Sequence, residues 1–82
     1  MVSRRRKYYK DQRFMKIIGA NICIHRKQKK ITLQELAFAC NDIDYAYINK
    51  IELGQINLSI SYLKLIADKL HVPLEKLLSE NQ

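Results

Sequence analysis

The sequence predicts an all-α domain, and three observations carry that reading. Apolar residues recur at helical spacing through most of the chain, the starts of those stripes coincide with residues that cap helices, and the one stretch that alternates like a strand has nothing to pair with. At 82 residues the chain is expected to be one domain, because chains divide only at a few times that length. Residues 1–10 carry no stripe and read as a basic N-terminal arm, and residues 11–82 read as the folded domain. A chain this short buries only about 60% of its unfolded surface, so a second copy is the usual source of extra stability.

A first helix is expected from about Asp11, with Phe14, Ile18, Ile22 and His25 along one face. Gly19 inside it costs about 1 kcal/mol relative to Ala, which implies another backbone close by. Ile17 and Ile24 form a second strip that either covers the base of the arm or belongs to an oligomer contact. His25 is either a satisfied structural histidine or a pH switch.

Thr32 with Glu35 three residues on forms a capping box, opening a second helix whose stripe is Leu36, Ala37 and Cys40. A polar turn, Asn41 to Asp44, leads to a third helix capped by Asp44, with Ile48 and Ile51 as its apolar side. Gly54 suits the left-handed residue that closes it. Helices this short are marginal alone, so their core must come from the flanking sequence.

Ile56, Leu58, Ile60 and Tyr62 alternate with polar residues as a half-buried strand would. A lone strand in a helical chain has no partner, whereas Ser59 can cap a fourth helix with the stripe Leu63, Ile66, Ala67 and Leu70. Pro73 opens a last short helix bearing Leu74, Leu77 and Leu78.

Charge is unevenly placed. Residues 1–30 carry eleven basic side chains against one acid, Asp11, for a net +10, whereas residues 31–82 carry four lysines against seven acids, for a net −3. The N-terminal excess suggests a polyanionic partner, nucleic acid ahead of a membrane surface. The basic start is followed by no signal-peptide pattern, and apolar runs fall far below the roughly 20 residues that span a bilayer, so a cytoplasmic protein is expected. Cys23 and Cys40 fit no metal-ligand spacing and read as small buried apolar residues. No Ser/His/Asp set, Gly-rich phosphate loop or metal cluster appears, so neither an enzyme, a cofactor nor a small-molecule ligand is expected.

The runs IIGANICIHRKQKKITLQELA and YINKIELGQINLSISYLKLIADKLHVPLEKLL place Leu-Ala, Tyr-Ile, Ile-Glu-x-Gly and a Leu-x-Val-x-Leu-x-x-Leu ending in order. In this they resemble the phage-repressor-like helix-turn-helix domains, the XRE or Cro/repressor family. The resemblance covers about Lys16 to Leu78 and implies a compact five-helix, lambda-repressor-like domain that binds operator DNA as a two-fold dimer. It suggests a bacterial or phage transcription regulator of the restriction-modification controller type. An antitoxin-type autorepressor, or a protein-interaction module that keeps the shape without reading DNA, is the alternative.

The resemblance further implies that the third helix enters the major groove, bringing Asp44, Tyr45, Ala46, Asn49 and Lys50 to base edges. Tyr47 either joins them or supports the helix against the core. Thr32, Gln34, Gln55 and Asn57, with Ser59, match the phosphate-contacting positions, and Arg26 matches the partner of Glu52 in a structural ion pair. The family's dimer contact would fall on Leu74, Leu77 and Leu78, unless those leucines are spent on the core. Arg4, Arg5 and Arg6 of the arm are read as lying in a minor groove or contacting phosphates diffusely.

The chain departs from the family pattern in several places. Between Leu36 and Ile48 it is one residue longer than the commonest spacing. Leu33 stands where many members have a glutamine. Lys30, Asn41 and His71 occupy positions that usually hold glycine.

Overall fold

The computed structural model describes residues 9–80. Among them five helices follow one another, α1 (Gln12–Gln28), α2 (Leu33–Ala39), α3 (Tyr45–Glu52), α4 (Ile60–Leu70) and α5 (Leu74–Leu78), and no strand occurs. The domain is the compact all-α, five-helix arrangement of the helix-turn-helix fold class. Arg4, Arg5 and Arg6 lie outside the described residues.

Local chemistry sets where the helices start. The Asp11 carboxylate accepts from the Phe14 N–H at 3.0 Å to open α1. In α2 the Thr32 hydroxyl accepts from the Glu35 N–H at 3.0 Å while the Glu35 carboxylate accepts from the Thr32 N–H at 2.8 Å, completing the capping box. Asp44 and Ser59 cap α3 and α4 through the N–H groups of Ala46 and Tyr62. The alternating residues 56–62 therefore run through a loop and into α4, with Ser59 ending the extended stretch.

The ends are closed by left-handed residues. Gly54 has φ 76°, and the Gln55 N–H reaches back to the Lys50 carbonyl at 3.0 Å. His71 does the same work at φ 60°, with Val72 donating to Ala67. Lys30, a poor residue for φ 56°, is held by two bonds to the residue that follows it. The Ile31 N–H donates to the Arg26 carbonyl at 3.1 Å, and the Arg26 guanidinium donates to the Ile31 carbonyl at 2.9 Å.

The turn between α2 and α3 has a definite form. Asn41 and Asp42 are both left-handed, at φ 65° and 55°, and the Ile43 N–H returns to the Ala37 carbonyl at 3.0 Å. Two residue types that tolerate this conformation thus carry the chain from α2 into α3.

All five helices contribute to one core. Ile22, Leu36, Ile48, Ile51, Ile66, Leu70 and Leu77 are all at most 1% exposed. Two expectations need correction here. Phe14 is not on the core face: it stays 41% exposed while Met15 turns inward at 7%, because the line through Ile22 and Ile18 continues at i−3 rather than i−4. Leu77 is 0% exposed, so it fills the core and has no surface to offer a second copy.

A buried polar group ties the last helix down. Asn21, 3% exposed, donates from Nδ2 to the carbonyls of Leu77 at 2.9 Å and Ser79 at 2.7 Å. Those carbonyls lie at the end of α5, where no intrahelical donor remains.

Candidate nucleic-acid interface

α3 is divided between support and display. Ile48 and Ile51 are buried against the core. Tyr47 is half-buried and stacks on Tyr62 of α4, with ring centroids 6.0 Å apart and planes 22° from parallel. On the opposite side Tyr45, Ala46, Asn49 and Lys50 are exposed, and their spacing of one, four and five residues puts them on one face.

Two contacts fix the angle of that face. At Gly19, α1 approaches the C-terminal turn of α3 so closely that an added Cβ would overlap the carbonyls of Ile51 and Glu52. Beside it, Arg26 Nε donates to Glu52 Oε2 at 2.7 Å and Nη2 to Oε1 at 3.1 Å, a two-point pair with side chains only 10% and 6% exposed. The hydrogen bond to Glu52 raises the Arg26 pKa above its ordinary value, outweighing burial, which pushes the other way. Its Nη2 also lies 3.9 Å from Cys23 Sγ. Cys23 is half-buried and Cys40 fully buried, and both are free thiols.

Around the displayed face the remaining residues fall in two groups. Gln34 lines a shallow depression with Asp44 and Tyr45, adjoining the start of α3. Thr32 is exposed at the head of α2, with its hydroxyl oxygen accepting within the capping box. Asp44 Oδ1 accepts from the Ala46 N–H at 3.0 Å, leaving Oδ2 without that role.

At the other end of α3, Gln55 and Asn57 are exposed on a loop whose half-buried Ile56 and Leu58 pack against the core. Asn57 Nδ2 donates to the Tyr9 carbonyl at 3.2 Å. The base of the arm is thereby held beside this loop, a link across 48 positions that the sequence does not disclose.

Two surface features were not anticipated. Phe38, 72% exposed, borders the depression by Gln34. A groove of about 310 Å³ runs between α1, α4 and α5, where Phe14, Ile60 and Leu78 remain exposed and the half-buried Leu74 contributes to the wall. Among the described residues no helix is long and apolar enough to cross a membrane.

Two short helices joined by a turn, the second presenting an open polar face, make this a helix-turn-helix protein. The Helix-turn-helix family model matches residues 25–77, and the chain belongs to that family. No curated relative is recognisable by sequence. Among solved structures, the restriction-modification controller protein C.AhdI from Aeromonas hydrophila is 25% identical, with a TM-score of 0.72 over 77% of this chain and 94% of that one. The clp gene regulator ClgR from C. glutamicum is 27% identical, with a TM-score of 0.77 over 82% of this chain and 86% of that one. A hypothetical transcription factor, NHTF, from Neisseria has a TM-score of 0.78 over 94% of this chain and 88% of that one, at 24% identity, a likeness of fold.

Proposed function

We propose that the chain is a sequence-specific, double-stranded-DNA-binding transcriptional regulator that acts as a homodimer, with α3 in the major groove. One observation carries this reading: α3 is braced by Ile48, Ile51 and the Arg26–Glu52 pair while Tyr45, Ala46, Asn49 and Lys50 face outward together. In this arrangement Lys50 donates to guanine O6 and N7, Asn49 pairs with adenine or bridges to phosphate, and Ala46 meets a thymine methyl. The unshared oxygen of Asp44 suits a cytosine N4 donor. Thr32, Gln34, Gln55 and Asn57 border this face at its two ends, where the duplex backbone would pass.

The likeness to C.AhdI, a restriction-modification controller protein, and to ClgR, a clp gene regulator, accords with this reading. The acidic residues around α3, Asp42, Asp44 and Glu52, would suit a module that only binds protein, but Glu52 is paired with Arg26 and largely buried. For the dimer, the supporting surface is the apolar groove with Phe14, Ile60, Leu74 and Leu78 rather than Leu77. Two copies would then read half-sites about 34 Å apart.

Selection of binding sites from random duplexes tests the proposal directly. A palindromic consensus is expected, and Lys50→Ala should relax preference at one base pair per half-site by about 1–3 kcal/mol. Binding indifferent to sequence would refute a sequence-specific regulator.

A further inference from the structure

We infer that the depression between α2 and the head of α3 reads the C5 position of a cytosine, with Phe38 as the residue that makes the protein prefer 5-methylcytosine to cytosine. The inference rests on the DNA-binding reading above and gives a role to a side chain which that reading leaves unused.

The depression measures about 370 Å³, and Gln34, Phe38, Asp42, Ile43, Asp44 and Tyr45 contribute to its wall. Phe38 is 72% exposed, Tyr45 is 50% exposed and Ile43 is half-buried. One exposed aromatic is ordinary, but three apolar side chains sharing a concave surface with polar neighbours have the composition of a contact site. The exposed ring of Phe38 does no work for the core, because the inward side of α2 is already filled by Leu36 and Ala37, with Cys40 at its C-cap. Tyr45 is the first residue of α3 and belongs to the outward face of that helix, so the depression adjoins the base-reading surface.

Asp44 selects the base edge that fits. Its Oδ1 accepts from the Ala46 N–H at 3.0 Å, which orients the carboxylate and leaves Oδ2 to accept from a donor. In the major groove cytosine N4 is a donor, whereas thymine O4 is an acceptor that a carboxylate repels. The ring atom next to C4 is C5, where thymine and 5-methylcytosine both carry a methyl group. A cytosine whose amino group meets Asp44 therefore sets its C5 substituent in the same depression, beside the rings of Tyr45 and Phe38. A hydrogen at C5 leaves those rings facing water, whereas a methyl is removed from water together with them. Uracil and thymine fail at O4, cytosine satisfies the carboxylate alone, and 5-methylcytosine satisfies the carboxylate and the rings.

The test uses the full-length chain and the consensus duplex obtained by selection. Each cytosine of a half-site is replaced in turn by 5-methylcytosine, and affinity is read by fluorescence anisotropy. One position is expected at which the methyl tightens binding about two- to fourfold, as partial to complete removal of one methyl from water would give. Phe38→Ala should bind the methylated and unmethylated duplexes alike, and it should melt no lower than the wild type because the lost ring is mostly in water. Asp44→Asn keeps a side chain that caps helices but brings an amide donor. It should exchange cytosine for thymine at that same position and retain the gain from the C5 methyl, seen as thymine bound more tightly than uracil.

No gain at any cytosine, a half-site without cytosine, or a gain that survives Phe38→Ala would each overturn the inference. In all three cases sequence-specific binding of the unmethylated consensus would leave the regulator reading standing. A wild-type chain that prefers no duplex sequence refutes that reading and this inference together.

Discussion

Arg26 and Glu52 illustrate how much can hang on one pair of side chains. Both are largely removed from water, both bonds of the fork are made, and a third donor of Arg26 closes the α1–α2 turn on Ile31. Glu52→Ala should therefore lower unfolding free energy by about 3–5 kcal/mol, because a buried guanidinium is left without its counter-charge. The check is chemical denaturation. A fully stable variant with altered base preference would mean that Glu52 acts at the DNA instead. Tyr62 presents the opposite case: its hydroxyl is buried with no hydrogen-bond partner among the described residues, and burial pushes its pKa up. An unsatisfied buried hydroxyl costs about 1–3 kcal/mol, so Tyr62→Phe should keep the stack on Tyr47 and leave the melting temperature equal or higher. A clear drop would point to an ordered water on that oxygen.

Among the elements, the helix starts were legible because each cap acts over two or three residues: Thr32 with Glu35, Asp44 with Ala46, Ser59 with Tyr62. What was not legible depends on contacts far apart in the chain. Leucines on a short amphipathic helix look alike in sequence, and only the packed structure distinguishes Leu77, in the core, from Leu78, at 38% exposure. Asn21 under α5 and Asn57 on Tyr9 link positions 48 or more apart, beyond any periodic pattern. Periodicity placed the buried Ile48 and Ile51 of α3, whereas the outward residues came from the family resemblance, and neither carries information on what they meet. The glycine at position 19 was readable as a close approach, and the neighbour proves to be the end of α3. Gly19→Ala should destabilise by about 1–3 kcal/mol through overpacking, despite the helix preference of about 1 kcal/mol for alanine. Thermal melting decides it, and a stabilised variant would show that α1 and α3 can separate without cost.

At the scale of the whole molecule, a small domain leaves an apolar groove open at one side and a polar helix open at another. If the groove is the self-contact of the proposed dimer, Leu78→Asp should shift sedimentation toward monomer. It should do so with little change in melting at low concentration, since Leu78 is already partly exposed. DNA affinity for a palindrome would fall while affinity for one half-site stays the same. An unchanged sedimentation profile would place the dimer contact elsewhere, with the strip of Ile17 and Ile24 the next surface to test. The Arg13–Glu80 pair at 2.6 Å links the start of α1 to the residues after α5. With both side chains more than half exposed, it contributes little on its own.

The contact between α1 and the carbonyls of α3 at Gly19 has a consequence for how such chains diversify. Because the bearing surface is backbone, and the brace beside it is Arg26–Glu52, nothing that positions α3 depends on Tyr45, Ala46, Asn49 or Lys50. Those four can be exchanged as a cassette, by mutation or by grafting, while the chassis keeps its shape. Change at the outward positions and constancy of the frame are thereby separable within a single helix of two turns.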